Sequence, residues 1–352
     1  MDQVNGYQDD KMKLYTQKIR ALQQQLPIFC ASFFRAINSY TSVLTRYAYA
    51  VDLQGFFNYL VNASDLAALR GRDVPTLTIA DLETVRAYDI EMYLDWTSLY
   101  LKNEREIVNN ERSKARKLSS IRSMFKFFFK QEMLKNNVAA LVDIPKLHEK
   151  PIIRLEPNEV ATLLDYVENG NGLSDRQKQY HAATAVRDLA ILTLFLGTGI
   201  RISELVGIDI ADIDFENDSF VVTRKGGAQD ILSFGAEVRS ALLAYQEQRE
   251  SILPADGSEN AFFLSLQKRR ITVRAVENLV KKYAKIAAPL KKISPHKLRS
   301  TYGTMLYHET QDIYLVADVL GHKDVNTTRK HYAAASEDNK RIAAQKIKLR
   351  DD

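Results

Sequence analysis

Ser294-Pro295-His296-Lys297-Leu298-Arg299 is the stretch around which the rest of the chain makes sense. Ser294 is a favoured helix N-cap, and Pro295 suits a first helical turn, where its missing N–H is no loss. A helix that starts here sets His296 and Arg299 one turn apart on one face. That end of the helix favours an anion, because its N–H groups are unpaired and its dipole is positive there. A histidine at a helix start is often only a cap or a surface residue. A histidine and an arginine aimed together at an anion-favouring terminus are less common.

Three other segments of the C-terminal half hold basic or nucleophilic residues at special points. In Gly197-Thr198-Gly199-Ile200-Arg201-Ile202-Ser203-Glu204-Leu205 the glycines stop one helix and another begins. Arg201 is thereby presented at a junction, with Glu204 one turn on, able to hold or orient a neighbour. A plain turn between two helices with a surface ion pair has the same pattern. Arg224-Lys225-Gly226-Gly227 reads as the tip of a hairpin, and Lys225 as either a reaching ammonium or an ordinary solvated lysine. In Leu320-Gly321-His322-Lys323-Asp324-Val325-Asn326-Thr327-Thr328-Arg329-Lys330-His331-Tyr332 a helix ends at Gly321. Asn326 is placed to cap the next helix, which carries Tyr332.

Asp143-Ile144-Pro145-Lys146-Leu147-His148-Glu149-Lys150-Pro151 contains two prolines and many charges, so it cannot continue a helix and reads as a linker. It separates an N-terminal domain, residues 1–145, from a second domain, residues 157–352, with 146–156 between them. In the first domain helices are expected near the polar N-terminus, from Ser42 onward, over 87–101 and over 111–134. The last begins basic, with Lys114, Arg116, Lys117 and Arg122, and turns apolar from Met124 to Phe129. In the second domain Pro157 opens a helix and 182–196 forms an apolar one. Residues 212–215, 219–223 and 229–234 read as antiparallel strands. Helices resume over 270–287, 295–308, 313–320, 326–335 and from 337 to about 349. The fold class is mainly α with a small antiparallel three-stranded sheet.

The 352 residues are 45% hydrophobic and 26% charged, with a net charge of +5. That excess points to a polyanionic partner more than to an acidic protein. Cys30, the single cysteine, rules out an intrachain disulfide, fits a cytoplasmic protein and sits in an apolar stretch that suggests a core position. The N-terminus lacks the pattern of a signal peptide, and no apolar run is long enough to cross a bilayer. No glycine-rich phosphate loop or zinc-type Cys/His spacing is present.

Arg201, Glu204, Lys225, the His296-x-x-Arg299 pair, His322 and Tyr332, in this order, resemble the catalytic signature of the tyrosine recombinase (phage integrase) family. The segment from Ser294 to Tyr332 is most similar to the XerS type of Xer recombinase within it. The resemblance implies a two-domain C-clamp of a helical core-binding domain and a catalytic domain. Tyr332 would be the nucleophile, Arg201, Arg299 and His322 the donors to phosphate, Lys225 the acid, His296 a helper in deprotonation, and Glu204 a support. Tyr332 stands ten residues after His322, one more than in many members. That difference turns a helical side chain by about 100°. The resemblance also implies a double-stranded DNA partner with a near-palindromic site, a homotetramer on two sites formed from monomers, a septal DNA translocase as a further partner, and no metal or other cofactor. The function it points to is chromosome-dimer resolution. A mobile-element integrase is the alternative, followed by a non-catalytic DNA-binding module or a type IB-like topoisomerase. Lys114, Arg116, Lys117, Arg122, Lys281 and Lys282 are candidate phosphate contacts, or else solvated helix faces.

Overall fold

The computed structural model describes residues 6–102, 105–146, 152–224, 227–322 and 324–332. The chain divides into two units, Met1–Lys150 and Pro151–Asp352. The first comprises α1 (Gly6–Gln23), α2 (Cys30–Ile37), α3 (Val43–Asn62), α4 (Ile79–Glu83), α5 (Ala87–Trp96), an antiparallel hairpin of β1 (Leu99–Lys102) and β2 (Arg105–Val108), and α6 (Glu111–Lys130). Ser42 caps α3 by accepting from the Thr45 N–H at 3.2 Å. Phe56, Phe57 and Leu60 of α3 pack with Leu118, Ile121, Phe125 and Phe128 of α6 in one core that also buries Cys30.

Two expected helices end early. The helix expected over 87–101 stops at Trp96, because the buried Thr97 turns its hydroxyl back to the Leu94 carbonyl at 2.8 Å. Leu101, expected on a helix face, instead lies in β1, where Tyr100 stacks on Trp96 with ring centroids 4.7 Å apart. The helix expected over 111–134 ends at Lys130, where the chain turns through Glu132 in a left-handed conformation (φ +56°) and returns Leu134 to the core. The short α2 was not anticipated.

The second unit contains α7 (Pro157–Asn169), α8 (Asp175–Thr198), α9 (Ile202–Leu205), a sheet of β3 (Ile213–Asp214), β4 (Ser219–Thr223) and β5 (Gln229–Ser233), α10 (Ala236–Glu250), α11 (Val273–Ala287), α12 (Pro295–Thr310), α13 (Ile313–Val319) and α14 (Val325–Tyr332). The strands pair antiparallel in the order β3-β4-β5, with Phe220 opposite Leu232 and Val221 opposite Ile231. The protein is therefore mainly α with small antiparallel sheets. α8 begins at Asp175, earlier than its apolar run, because Gln177 Oε1 accepts from the Ser174 N–H at 3.0 Å and stabilises a polar first turn. α10, in a stretch where no helix is expected, buries Leu242 and Tyr245. α11 starts at Val273 under a Thr272 cap, while Arg270 donates to the Val206 and Ile208 carbonyls instead. Leu155 donates its N–H to the buried Thr301 hydroxyl of α12 at 3.0 Å. Among the described residues, no helix is long and apolar enough to cross a membrane.

Candidate active site

α8 ends at Gly199, which adopts a left-handed conformation (φ +62°) that L side chains rarely take. A Cβ there would also collide with Tyr302 and Leu320, so a glycine is needed for α8 to end against α12 and the end of α13. The turn places Arg201 at the N-cap position of α9 with extended backbone. Glu204, its side chain 2% exposed, closes that turn: Oε2 accepts from the Arg201 N–H at 3.0 Å and Oε1 from Arg201 Nη1 at 2.8 Å. The acidic residue thus orients the guanidinium.

The last carbonyls of a helix have no partner within it. At the end of α13 the carbonyls of Val319, Leu320 and Gly321 are taken by three arginines from three different segments. Arg224, immediately after β4, donates from Nη2 to the Val319 carbonyl at 3.2 Å. Arg201 Nη2 donates to the carbonyls of Leu320 at 3.2 Å and Gly321 at 2.9 Å. Arg299 of α12 donates from Nη1 to the Gly199 carbonyl and from Nη2 to the Leu320 carbonyl. Positive charge at a helix C-terminus is favoured by the dipole as well. Gly321 then turns left-handed (φ +57°), as a residue just past a helix end commonly does, and delivers His322.

His322 Nδ1 lies 2.8 Å from the hydroxyl of Thr328, which is fully buried on α14. Tyr332 is the last residue of α14, one turn beyond Thr328; its side chain lies outside the described residues. The cap of α14 is not Asn326 but Asp324, whose Oδ1 accepts from the Asn326 N–H at 2.9 Å, so the helix starts one residue earlier than expected. Ser294 occupies the N-cap position of α12 without a side-chain cap bond, and Pro295 is its first residue. His296 is exposed in that first turn, whereas Arg299 is buried. Lys225 and the segment 333–352 lie outside the described residues. The described residues thus bring together Arg201, Glu204, Arg299 and His322. Arg224 and Thr328, quoted in the sequence only as neighbours of Lys225 and Tyr332, join them.

The candidate phosphate contacts differ among themselves. Lys114 lies 3.4 Å from Glu111. Arg116, half exposed, pairs with the buried Asp52, and Lys117 lies 3.8 Å from the same carboxylate with a side chain only 10% exposed. Arg122 donates to the Ala139 carbonyl at 3.1 Å and to the Val142 carbonyl. Lys282 donates to the buried Asp188 at 3.1 Å and lies 3.9 Å from the Tyr283 ring centroid. Lys281 is exposed. Lys117, Arg122 and Lys282 therefore spend their hydrogen-bonding or charge on the protein itself. Among the described residues, no group of three or more His, Cys, Asp or Glu could hold a metal ion.

The model of the phage integrase family matches residues 153–339. The tyrosine recombinase XerS of Streptococcus thermophilus (strain CNRZ 1066) is 30% identical over 347 residues, covering 90% of this chain and 95% of the relative. XerS of Lactococcus lactis subsp. cremoris (strain MG1363) is 28% identical over 359 residues, covering 94% and 98%. The fold is similar to that of the XerH site-specific recombinase bound to palindromic difH substrate (TM-score 0.64, 18% identity, 87% of this chain and 80% of that one). It is also similar to that of the Tn1549 transposon integrase in complex with transposon right end DNA (TM-score 0.65, 18% identity, 92% and 98%).

Proposed function

Since the chain belongs to the phage integrase family and is a site-specific tyrosine recombinase, we propose that it resolves chromosome dimers at a near-palindromic DNA site, with Tyr332 as its nucleophile. The observation that supports chemistry at a phosphodiester is the convergence of Arg201 and Arg299 on the Leu320 carbonyl, two residues before His322. Three side chains suited to an anionic phosphate are thereby gathered from α9, α12 and the turn after α13.

In the proposed reaction the Tyr332 oxygen attacks phosphorus and the bond to the 5′ oxygen breaks, leaving a 3′-phosphotyrosine. The phenolic proton passes to His296, and Lys225 protonates the departing 5′ oxygen. Arg201 and Arg299 neutralise the non-bridging oxygens as charge on them changes, each worth roughly 10²–10³ in rate by analogy with other preorganised donors. His322 donates to the same oxygens from Nε2 while Thr328 occupies Nδ1. Glu204 holds Arg201 in place. The phosphotyrosine conserves the bond energy, so a 5′ hydroxyl of a second strand reverses the step. Two rounds of exchange pass through a four-way junction. We place the enzyme on DNA in the cytoplasm as a homotetramer on two sites, assembled from monomers through the segment 337–352, with a septal DNA translocase as a further partner. The near full-length similarity to XerS supports this chromosomal role over that of a mobile-element integrase.

A DNA duplex nicked next to the cleavage position traps the covalent intermediate, because the short 5′ fragment diffuses away. The intact protein should become attached to it and Tyr332→Phe should not. Attachment by Tyr332→Phe at the wild-type rate would overturn the assignment of the nucleophile.

A further inference from the structure

We propose that Arg224 is a positioning residue for the reaction, acting through Arg201. Its side chain is 10% exposed and its guanidinium is shared among three segments. Nη1 donates to Glu204 Oε2 at 3.2 Å, Nε donates to Asp230 Oδ2 on β5 at 2.9 Å, and Nη2 donates to the Val319 carbonyl at 3.2 Å. A Cβ on residue 321 would lie 3.0 Å from the Arg224 Cζ, so the guanidinium packs against the turn that leads to His322.

These are the two supports of the Arg201 guanidinium. On one side Arg201 is held by Glu204, whose other carboxylate oxygen Arg224 engages. On the other side it is held by the carbonyls of Leu320 and Gly321, the residues that follow the Val319 carbonyl bound by Arg224. One buried carboxylate between two guanidiniums is a neutralised, geometrically defined anchor. Removing Arg224 leaves Glu204 Oε2 with the Arg201 N–H but without a second guanidinium, and leaves the end of α13 without one of its ties. Lysine would keep the charge but could not reach both partners with a planar fork.

The inference rests on the reading of Arg201 as a donor to a non-bridging phosphate oxygen, and the experiment separates the two. Single-turnover cleavage is measured on nicked DNA with either an ordinary phosphodiester or a methylphosphonate at the cleavage position. The methylphosphonate carries no charge for Arg201 to neutralise. On the phosphodiester, Arg224→Ala should lose roughly 10- to 100-fold, by analogy with losing a group that orients a metal ligand. On the methylphosphonate its deficit should disappear, as should that of Arg201→Ala.

If the Arg201→Ala deficit vanishes on methylphosphonate and that of Arg224→Ala remains, Arg224 does not act through Arg201 and the proposal is overturned. Wild-type cleavage of the phosphodiester by Arg224→Ala overturns it too. If the deficit of Arg201→Ala itself persists, the reading of Arg201 fails and takes the proposal with it. Should Arg224→Ala not fold, Arg224→Lys keeps a cation beside Glu204 and is put through the same comparison.

Discussion

The guanidinium groups of Arg201 and Arg299 meet on a single atom, the carbonyl oxygen of Leu320. Arg201 arrives from the start of α9 and Arg299 from α12, so one helix end fixes the spacing of both. Arg299→Lys should therefore do two kinds of harm. It leaves the Gly199 and Leu320 carbonyls short of a donor, a cost of about 1–3 kcal/mol. It also removes a fork from the proposed phosphate site, with an expected loss of roughly 10²–10³ in cleavage rate. Thermal unfolding and single-turnover cleavage measure the two separately, and a variant that cleaves normally while melting early would remove Arg299 from the chemistry.

The contact between Thr328 and His322 is testable by shape. Thr328→Val keeps the volume of a buried side chain but loses the hydroxyl at 2.8 Å from Nδ1. If His322 acts on the phosphate as proposed, this variant should slow cleavage by roughly 10-fold, by analogy with losing a group that orients a metal-ligating histidine. Thr328→Ser keeps the hydroxyl and should restore most of the rate. Equal rates for the two variants would show that the hydroxyl does not matter.

Lys281 and Lys282 are adjacent but differently employed. Lys281 is exposed, while Lys282 is held by Asp188 and the face of Tyr283. Lys281→Ala should lower the slope of log affinity against log salt by about 0.9, the value for one lost phosphate contact. Lys282→Ala should leave that slope unchanged and lower the melting temperature instead. Filter binding over a series of salt concentrations distinguishes them.

Burial pushes the Asp52 carboxyl above its ordinary value, although Arg116, Ser120 and Lys117 pull the other way. The folded chain then keeps this proton at pH values where the unfolded chain has lost it. Stability from this group is present below the unfolded value, about pH 4, and declines as pH rises toward the folded one. Urea unfolding of wild type and Asp52→Asn across that interval should show the wild type losing ground to the variant as pH rises. The opposite trend would mean that the ion pairs outweigh desolvation.

Much of the site was legible because it is written locally. Ser42 as a cap, Pro295 as a first helical residue and Gly321 at a helix end each depend on neighbours a few positions away. What escaped depends on distant partners. Lys117 and Lys282 look like surface cations until Asp52 and Asp188 are brought to them, the latter across 94 positions of sequence. Arg224 looked like a neighbour of Lys225 because Glu204 and Val319 lie on other elements. α10 was missed because its apolar face is narrow and only packing in the second unit makes it matter. The β1–β2 hairpin was hidden inside a run that begins as a good helix, and it is the buried Thr97 that ends that helix.

The bond from the Leu155 N–H to Thr301 has a mechanical meaning. Thr301 lies two residues past Arg299 on α12, and its hydroxyl also donates to the Lys297 carbonyl at 2.9 Å. The incoming chain is thus stitched to the arginine-bearing helix before α7 begins. Within the second unit, a displacement of Leu155 is therefore handed to α12 two residues from Arg299, so the entering segment and that helix shift as one piece.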